Sequence, residues 1–227
     1  ERGIYVVAST AYLYSTAIID SSNGIYAEYG AVIDVEDSTI EGNGFGAVLY
    51  SSTLNIKDSS IEYNVYGISA VLSTVTMTGS RLNFNSLYGI IADASTLTIT
   101  DGSISRNGYG IYTKGETEAE IHNCNITNNT FHGIYNENPT VAVNASGNWW
   151  GSPAGPEVSA TADANDPEEI YGLFTPDTTT NIALYPIGIS TETVTITIPI
   201  TNIIPTTQYQ TVGRISLALQ QGIIIGI

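Results

Sequence analysis

Short segments in which apolar and polar residues alternate occupy the first two thirds of the chain. One polar residue separates Leu54 from Ile56, and one separates Leu97 from Ile99. Alternation with a period of two predicts β-strands that bury one face. The polar stretches between these segments are too short to hold a helix, so the pattern excludes strand–helix–strand crossovers and predicts an all-β fold.

A repeat of about 22 residues organises these segments. Glycines recur at spacings of 21 to 23 residues, at Gly3, Gly24, Gly46, Gly67, Gly89, Gly110 and Gly133. Isoleucine follows six of these seven glycines, and Ala47 is the exception. A second apolar column consists of the pairs Ile33/Val35, Leu54/Ile56, Val75/Met77, Leu97/Ile99 and Val141/Val143. A third consists of Ile18, Ile40, Ile61, Leu82, Ile104 and Ile126. Columns of like residues at a fixed period indicate a repeat architecture.

Polar residues recur at fixed positions around the third apolar column. Small residues precede its members by two positions: Thr16, Ser38, Ser59, Ser80, Gly102 and Cys124. Serine or asparagine follows its members by three positions: Ser21, Asn43, Asn64, Asn85, Asn107 and Asn129. We expect the stacked asparagines to hydrogen-bond to one another and to supply the left-handed backbone conformation that a sharp corner requires.

Three short strands per repeat, with no helix between them, can wind into a solenoid. Each rung, meaning one complete turn of the solenoid, then pairs in parallel with the next rung at roughly 4.8 Å. About seven rungs give a rod of about 34 Å with the isoleucine columns in its interior. We therefore expect the side chains of Ile40, Ile61 and Ile104 to be buried.

The repeat GI(Y)…ST-L-x-I-x-x-S-x-I-x-x-N-x-x-YG resembles that of right-handed parallel β-helix proteins of the pectin-lyase-like superfamily, over residues 3–151. The string NWWGSPAGP, from Asn148 to Pro156, and the later PEEIYGLFTPD resemble the closing segment of extracellular bacterial and archaeal members. Asn148 lies three residues before Gly151, which would place it in the asparagine column. The superfamily includes lyases, hydrolases, epimerases, adhesins and structural proteins, so the resemblance implies the fold without fixing an activity.

The chain divides into three segments. We expect a right-handed parallel β-helix over residues 1–151 and an acidic, Pro- and Gly-containing cap or linker over residues 152–178. Residues 179–227 return to strand patterns, among them TETVTITIPI, and end in GIIIGI. This short C-terminal β region buries too little surface to fold alone, so we expect it to pack on the β-helix or on another chain.

Composition limits the partners and the location of the protein. The 22 acidic residues against 6 basic residues give a net charge of −16. Such a chain repels phosphate backbones and anionic lipid, so we expect no nucleic-acid partner and no membrane insertion. One cysteine excludes an internal disulfide framework. A surface rich in Ser, Thr, Asn and Tyr, with 12% charged residues, favours an extracellular or cell-surface location.

A ring-bearing residue directly precedes most of the repeat glycines. These residues are Phe45, Tyr66, Tyr88, Tyr109, His132 and Trp150, and we expect them to form an outward stripe. Two interpretations stay open: a self-stacking ladder that shields a sheet edge, and a platform on which sugar rings pack against the aromatic faces. Tyr5, Tyr26, Tyr112 and Tyr135 would add a second outer row.

Asp37 and Asp58 share one column and are the candidates for a calcium site, with Asp101 two rungs further on. Carboxylates on adjacent rungs around Ca²⁺, together with a basic residue, are what the resemblance implies for a polysaccharide lyase. No arginine occupies the neighbouring column on these rungs, and Arg81 lies one rung further. The hydrolase motifs expected of this superfamily are absent, so we assign no catalytic residue and no cofactor other than calcium.

Histidine, cysteine and the glycosylation sequons complete the candidate groups. His122 shares a strand face with Glu118 and Glu120, but three alternate side chains spread over ~13 Å and cannot share one ion. Cys124 falls in the small-residue column, which predicts a buried, inert thiol. The N-glycosylation candidates are Asn125 (NIT), Asn128 (NNT) and Asn144 (NAS), near the end of the repeat.

These features favour a non-enzymatic extracellular structural or adhesive protein. The net charge argues against a lyase, because such an enzyme must bind an acidic polymer. The alternatives are a carbohydrate-active enzyme, either a polysaccharide lyase or a hydrolase, and a glycan-binding module like a virus tail spike.

Association with other copies, or with a larger parent chain, is a further expectation. The first rung starts at Gly3, and the strand-forming C-terminal segment ends in an apolar tail. Pairing of strands between copies would cover both, and an open head-to-tail contact of this kind generates filaments or surface assemblies.

Overall fold

The computed structural model describes residues 1–138, 140–152, 155–156, 158–159, 170–171, 218–220 and 223–225. Within these residues the chain forms 24 strands, numbered here in chain order, and no helix, as the alternating pattern predicts. The strands belong to three parallel sheets and one antiparallel pair. No helix in the described part of the chain is long and apolar enough to cross a membrane.

Each parallel sheet takes one strand from each successive rung. Sheet A contains β1 (Arg2–Val7), β4 (Asn23–Glu28), β7 (Phe45–Tyr50), β10 (Tyr66–Val71), β13 (Tyr88–Asp93), β16 (Tyr109–Lys114) and β19 (His132–Asn136). Sheet B contains β2 (Thr10–Tyr14), β5 (Val32–Glu36), β8 (Thr53–Lys57), β11 (Thr74–Thr78), β14 (Thr96–Thr100), β17 (Glu118–His122) and β20 (Val143–Asn144). Sheet C contains β3 (Ala17–Ile19), β6 (Thr39–Glu41), β9 (Ser60–Glu62), β12 (Arg81–Asn83), β15 (Ser103–Ser105) and β18 (Asn125–Thr127).

Like residues lie over like residues in all three sheets, which confirms the predicted register of the body of the rod. Leu97 pairs with Val75, and Ile104 pairs with Leu82. Six rungs are complete, and the seventh consists of β19, β20 and a single bridge between Trp149 and Asn125. The interior is mainly apolar, with polar ladders at the corners and a buried pair formed by Thr113 and Asn136 near the last rung. Ile40, Ile61 and Ile104 are buried as predicted, whereas Ile4 in the first rung is only partly buried.

Most corners between the sheets share a two-residue pattern: a residue with positive φ, then a polar residue that points inward. The asparagine column confirms the predicted ladder, since Asn64 Nδ2 donates to Asn85 Oδ1 at 3.1 Å and Asn85 Nδ2 donates to Asn107 Oδ1 at 3.0 Å. The left-handed residue is not the ladder asparagine but the residue before it. Tyr63, with φ of 58°, precedes Asn64. The inward amide therefore satisfies the corner backbone, while its predecessor makes the bend.

A second polar ladder, which the sequence analysis did not identify, lines the corner between sheets A and B. The backbone N–H of Ser52 donates to Ser73 Oγ, and the backbone N–H of Ser73 donates to Ser95 Oγ, both at 3.1 Å. Thr117 continues the ladder, because its Oγ1 accepts from the backbone N–H of Ser95. These hydroxyls look like ordinary polar residues of a loop in the sequence, and only their 21- to 22-residue spacing marks them.

The register predicted for the last rung is wrong by a few residues. Val143 pairs with Ala119, so the inward pair is Val143 and Ala145 rather than Val141 and Val143. Asn148 Oδ1 accepts from the backbone N–H of Cys124 at 2.9 Å, which places Asn148 in the small-residue column and not in the asparagine column. Counting back from Gly151 gave the wrong register because the seventh rung does not keep the spacing of the earlier rungs.

The cap segment and the C-terminal segment contribute four short strands to the described residues. Within 152–178, β22 (Ile170–Tyr171) pairs with β19, and β21 (Val158–Ser159) pairs with β22, so this segment extends sheet A. Within 179–227, β23 (Ala218–Gln220) and β24 (Ile223–Ile225) form an antiparallel pair. The predicted strand run TETVTITIPI lies outside the described residues.

Candidate functional site

Five rings form one stack along the start of the sheet A strands, called here the ring stack: Phe45, Tyr66, Tyr88, Tyr109 and His132. The successive ring centroids lie 4.4, 5.5, 5.2 and 5.7 Å apart. Interplanar angles of 2° to 28° make each pair a stacked pair. The strands position the stack because their spacing, roughly 4.8 Å, is close to the offset-stacking distance of aromatic rings.

Tyr112 and Tyr135 flank the ring stack and form part of the predicted second row. Their rings are stacked at 4.7 Å, and the Tyr112 ring meets Tyr88 and Tyr109 edge-on at 5.5 and 5.4 Å. The Tyr112 hydroxyl donates to Glu137 Oε2 at 3.2 Å. Burial, and then the charge of Glu137, raise the pKa of Tyr112. This hydroxyl therefore stays protonated and remains a hydrogen-bond donor.

The stacked arrangement determines which parts of the rings a ligand can contact. Each inner ring has its faces against neighbouring rings, so a ligand reaches ring edges and hydroxyl groups rather than faces. Tyr66, Tyr88 and Tyr109 are half-buried, and His132 is buried, with its pKa lowered by burial. The geometry favours the self-stacking interpretation over sugar packing on these faces. The glycan platform itself stays a prediction for Phe45, the three tyrosines and His132.

Trp150 does not belong to the ring stack, contrary to the sequence-based expectation. The neighbouring Trp149 bridges to Asn125 in sheet C, so Trp150 follows the third apolar column and points inward. Its side chain is 3% exposed and packs in the hydrophobic core. The prediction failed because Trp150 precedes a glycine, Gly151, that is not in the register of the repeat glycines.

The column of Asp37 and Asp58 lies at the corner between sheets B and C. Both residues have positive φ, 49° and 47°, which aspartate tolerates better than most residues. Lys57 Nζ lies 3.8 Å from Asp58 Oδ2 and 2.6 Å from Glu36 Oε1, on an exposed surface. The corner conformation thus accounts for the aspartates without a ligand. The described residues hold no group of three or more His, Cys, Asp or Glu side chains placed to share an ion, and the calcium site stays a prediction.

His122 and Cys124 occupy the positions that the alternation predicts. His122 Nε2 lies 2.9 Å from Glu120 Oε2, on the outer face of sheet B. Cys124 is fully buried, and burial raises the pKa of its thiol to about 12. The prediction of a buried, inert thiol is consistent with this environment, because the thiolate is the reactive form of cysteine.

The three sequon asparagines differ in accessibility. Asn128 is exposed at a corner with φ of 58°. Asn125 is half-buried in sheet C, and Asn144 Nδ2 donates to Glu120 Oε2 at 2.7 Å. Glycosylation at the three sites stays a prediction, and Asn128 offers the most accessible amide of the three.

The first rung carries several strongly exposed large apolar side chains. Tyr12 and Tyr14 of β2 are 77% and 67% exposed. Within the described residues β1, β2 and β3 pair on one side only, with β4, β5 and β6. The first rung therefore presents three strand edges flanked by tyrosines.

A known protein family matches most of the repeat region. A family model described as "Right handed beta helix region" matches residues 1–90 and 48–149, which together cover about two thirds of the 227 residues. No curated protein and no solved structure matches the chain.

Proposed function

Since the chain belongs to the right-handed beta helix family, whose fold suits extracellular proteins in general, we propose that it is a non-enzymatic structural or adhesive module of an extracellular assembly. We also assign the chain to the pectin-lyase-like superfamily of β-helix proteins, with NWWGSPAGP as the segment that closes the helix. The proposal includes association between copies, or with a larger parent chain, and carries no cofactor requirement.

The observation that carries this proposal is that the fold itself uses the repeated polar and aromatic columns. Asparagines and serines bond along the axis at all three corners, and at the corner between sheets B and C the serine ladder follows the left-handed residues Asp37 and Asp58. The ring stack covers its own aromatic faces. These polar and aromatic side chains bond to or stack on the same column of the next rung instead of lining a cleft. Such contacts between rungs suit a rod-like scaffold.

Exposed strand edges support the association part of the proposal. The first rung has edges unpaired within the described residues, and β23 and β24 form a sheet of only two strands there. Unpaired edges pair readily with strands of other chains. Tyr12 and Tyr14 flank the edge of β2 and would be buried by such a contact.

Sedimentation velocity on the chain over a range of concentrations tests the proposal. We expect a mass above the 24.1 kDa of one chain that rises with concentration. Substituting Tyr12→Lys together with Tyr14→Lys should lower the association, because two charges at an edge oppose strand pairing. Val65→Lys is the matched control, since Val65 is also exposed but lies away from the first rung.

Two outcomes contradict the proposal. The first is a stable monomer at high concentration. The second is product release from pectate, alginate or neutral glycans, with or without calcium, that is lost on Asp37→Asn or Asp58→Asn. That result would establish the enzyme alternative.

A further inference from the structure

A row of residues with positive φ runs along the corner between sheets C and A. This corner row consists of Asp20, Gly42, Tyr63, Phe84, Arg106 and Asn128. The rings of Tyr63 and Phe84 stack at 4.9 Å with an angle of 9° between their planes. The Arg106 guanidinium lies over the Phe84 ring, 5.0 Å from its centroid. One end of this aromatic pair is therefore covered by a cation that the chain supplies.

The other end of the pair faces a gap in the corner row. Gly42 has no side chain to fill its rung, and a pocket of about 320 Å³ is lined there by Ile19, Asp20, Glu41, Gly42 and Tyr63. Tyr63 is 58% exposed although Phe84 covers one of its faces. The second face of the Tyr63 ring is thus accessible from the pocket.

Two carboxylates border this pocket. A Cβ built on Gly42 would lie 3.2 Å from Asp20 Oδ1, so the Asp20 carboxylate reaches over the glycine. Glu41 lines the same pocket. Neither carboxylate forms a salt bridge with another described residue, whereas Glu36 and Glu62 on the outer surface do so.

Elsewhere in the chain, aromatic faces like that of Tyr63 are covered by arginine guanidinium groups. Arg106 covers Phe84 in the same row, and Arg2 lies over the Tyr26 ring at 4.0 Å and over the Tyr5 ring at 4.4 Å. A carboxylate accompanies the second arrangement, because the Tyr5 hydroxyl donates to Glu28. A guanidinium on a tyrosine face is thus a contact already present in this fold.

We propose that the Gly42 pocket binds a guanidinium group, such as an arginine side chain presented by a partner protein. The cation stacks on the free face of Tyr63, and its N–H groups donate to the carboxylates of Asp20 and Glu41. The net charge of −16 attracts a cationic ligand toward the site over longer range.

Titration with N-acetyl-arginine amide, followed by the ring NMR resonances of Tyr63, tests this inference. We expect saturable shifts with the arginine probe and none with N-acetyl-citrulline amide, which has nearly the same shape but no charge. Gly42→Asn should abolish the shifts by filling the pocket, and Asn128 shows that the corner row accepts asparagine at positive φ. Glu41→Gln should weaken binding by about threefold, because it removes one exposed ion pair to the guanidinium.

Matched variants separate loss of the pocket from loss of the fold. Gly30→Asn is the control for Gly42→Asn, because Gly30 also has positive φ and faces open space, and it should bind the probe like the wild type. Glu118→Gln controls for the loss of one exposed charge on another sheet. Equal shifts with arginine and citrulline probes, no shift with either, or shifts only with methyl glucoside would each overturn the proposal.

Discussion

Backbone strain at the corners is balanced by inward polar side chains one residue later. Fifteen non-glycine residues of the described chain have positive φ, among them Leu72, Phe84 and Arg106. A left-handed conformation costs an ordinary residue about 1 to 2 kcal/mol. The ladder residue that follows satisfies backbone groups of two rungs, which would otherwise be buried without partners. The asparagine column was predictable because asparagine repeats there, whereas the identity of the left-handed residue was not, because side chains as different as Asp and Tyr occupy it.

Substituting Asn85→Ala should destabilise the rod by about 3 kcal/mol. Asn85 Oδ1 accepts from the backbone N–H of Asn64, and Asn85 Nδ2 donates to the backbone carbonyl of Ile61 at 3.1 Å. Alanine leaves both buried groups unsatisfied, at about 1 to 3 kcal/mol each. Urea unfolding followed by circular dichroism measures the change.

Asn128→Gly is the control for this substitution. Asn128 is exposed at positive φ, so glycine should change the stability by less than about 0.5 kcal/mol. Equal effects of the two substitutions would mean that the ladder does not stabilise the fold.

Sheets of short strands hold together here because each column repeats one kind of side chain. Strand type and inward faces follow from the alternation of residues such as Val75 and Met77, and the structure confirms them. The last rung was not predictable from the same rule. Trp150 precedes a glycine as the ring-stack residues do, yet its neighbour Trp149 bridges to Asn125 of sheet C, because the chain before the two tryptophans has a different length. The 21- to 23-residue period therefore predicts the position of a strand only in rungs that keep that period.

Truncation of a core column measures how much one strand contributes through packing. Ile61 of β9 is fully buried between Ile40 and Leu82. Ile61→Ala should lower the free energy of unfolding by about 2 to 5 kcal/mol, because it leaves a cavity that the paired strands cannot close. Ile19→Ala in β3 is the control: this side chain is 52% exposed, and its loss should cost far less. A cost for Ile61→Ala no larger than that of the control would contradict the proposed core.

The whole rod is built from contacts between adjacent rungs. Each strand of the body pairs with the equivalent strands of the rungs before and after it, so its stability is set by neighbours rather than by distant parts of the chain. This architecture was predictable as a whole from one period in the sequence. Its C-terminal end was not, because the repeat breaks there and the pairing of β22 with β19 leaves no periodic trace in the sequence.

Removal of one complete rung should therefore leave a folded, shorter rod. Deleting residues 67–88 joins Tyr66 to Gly89 and keeps every column aligned, because Tyr66 then precedes a repeat glycine as Tyr88 did. We expect a retained β-sheet signal in circular dichroism and a length reduced by about 4.8 Å in small-angle X-ray scattering. Deleting only residues 67–77 shifts the remaining columns out of register and should abolish folding. Unfolding of the complete-rung deletion would contradict the nearest-neighbour description.

Placement of both tryptophans in the last rung has a consequence for spectroscopy. The chain has two tryptophans, Trp149 and Trp150, and the buried ring of Trp150 covers the end of the core. Tryptophan emission therefore reports the departure of the C-terminal rung alone, while far-ultraviolet dichroism averages over all rungs. If the rod unfolds first at its C-terminal rung, the wavelength of maximum tryptophan emission shifts before the far-ultraviolet circular dichroism signal falls. If it unfolds first at the first rung, the emission wavelength stays unchanged. Comparing the two signals during unfolding reveals which end of the rod opens first.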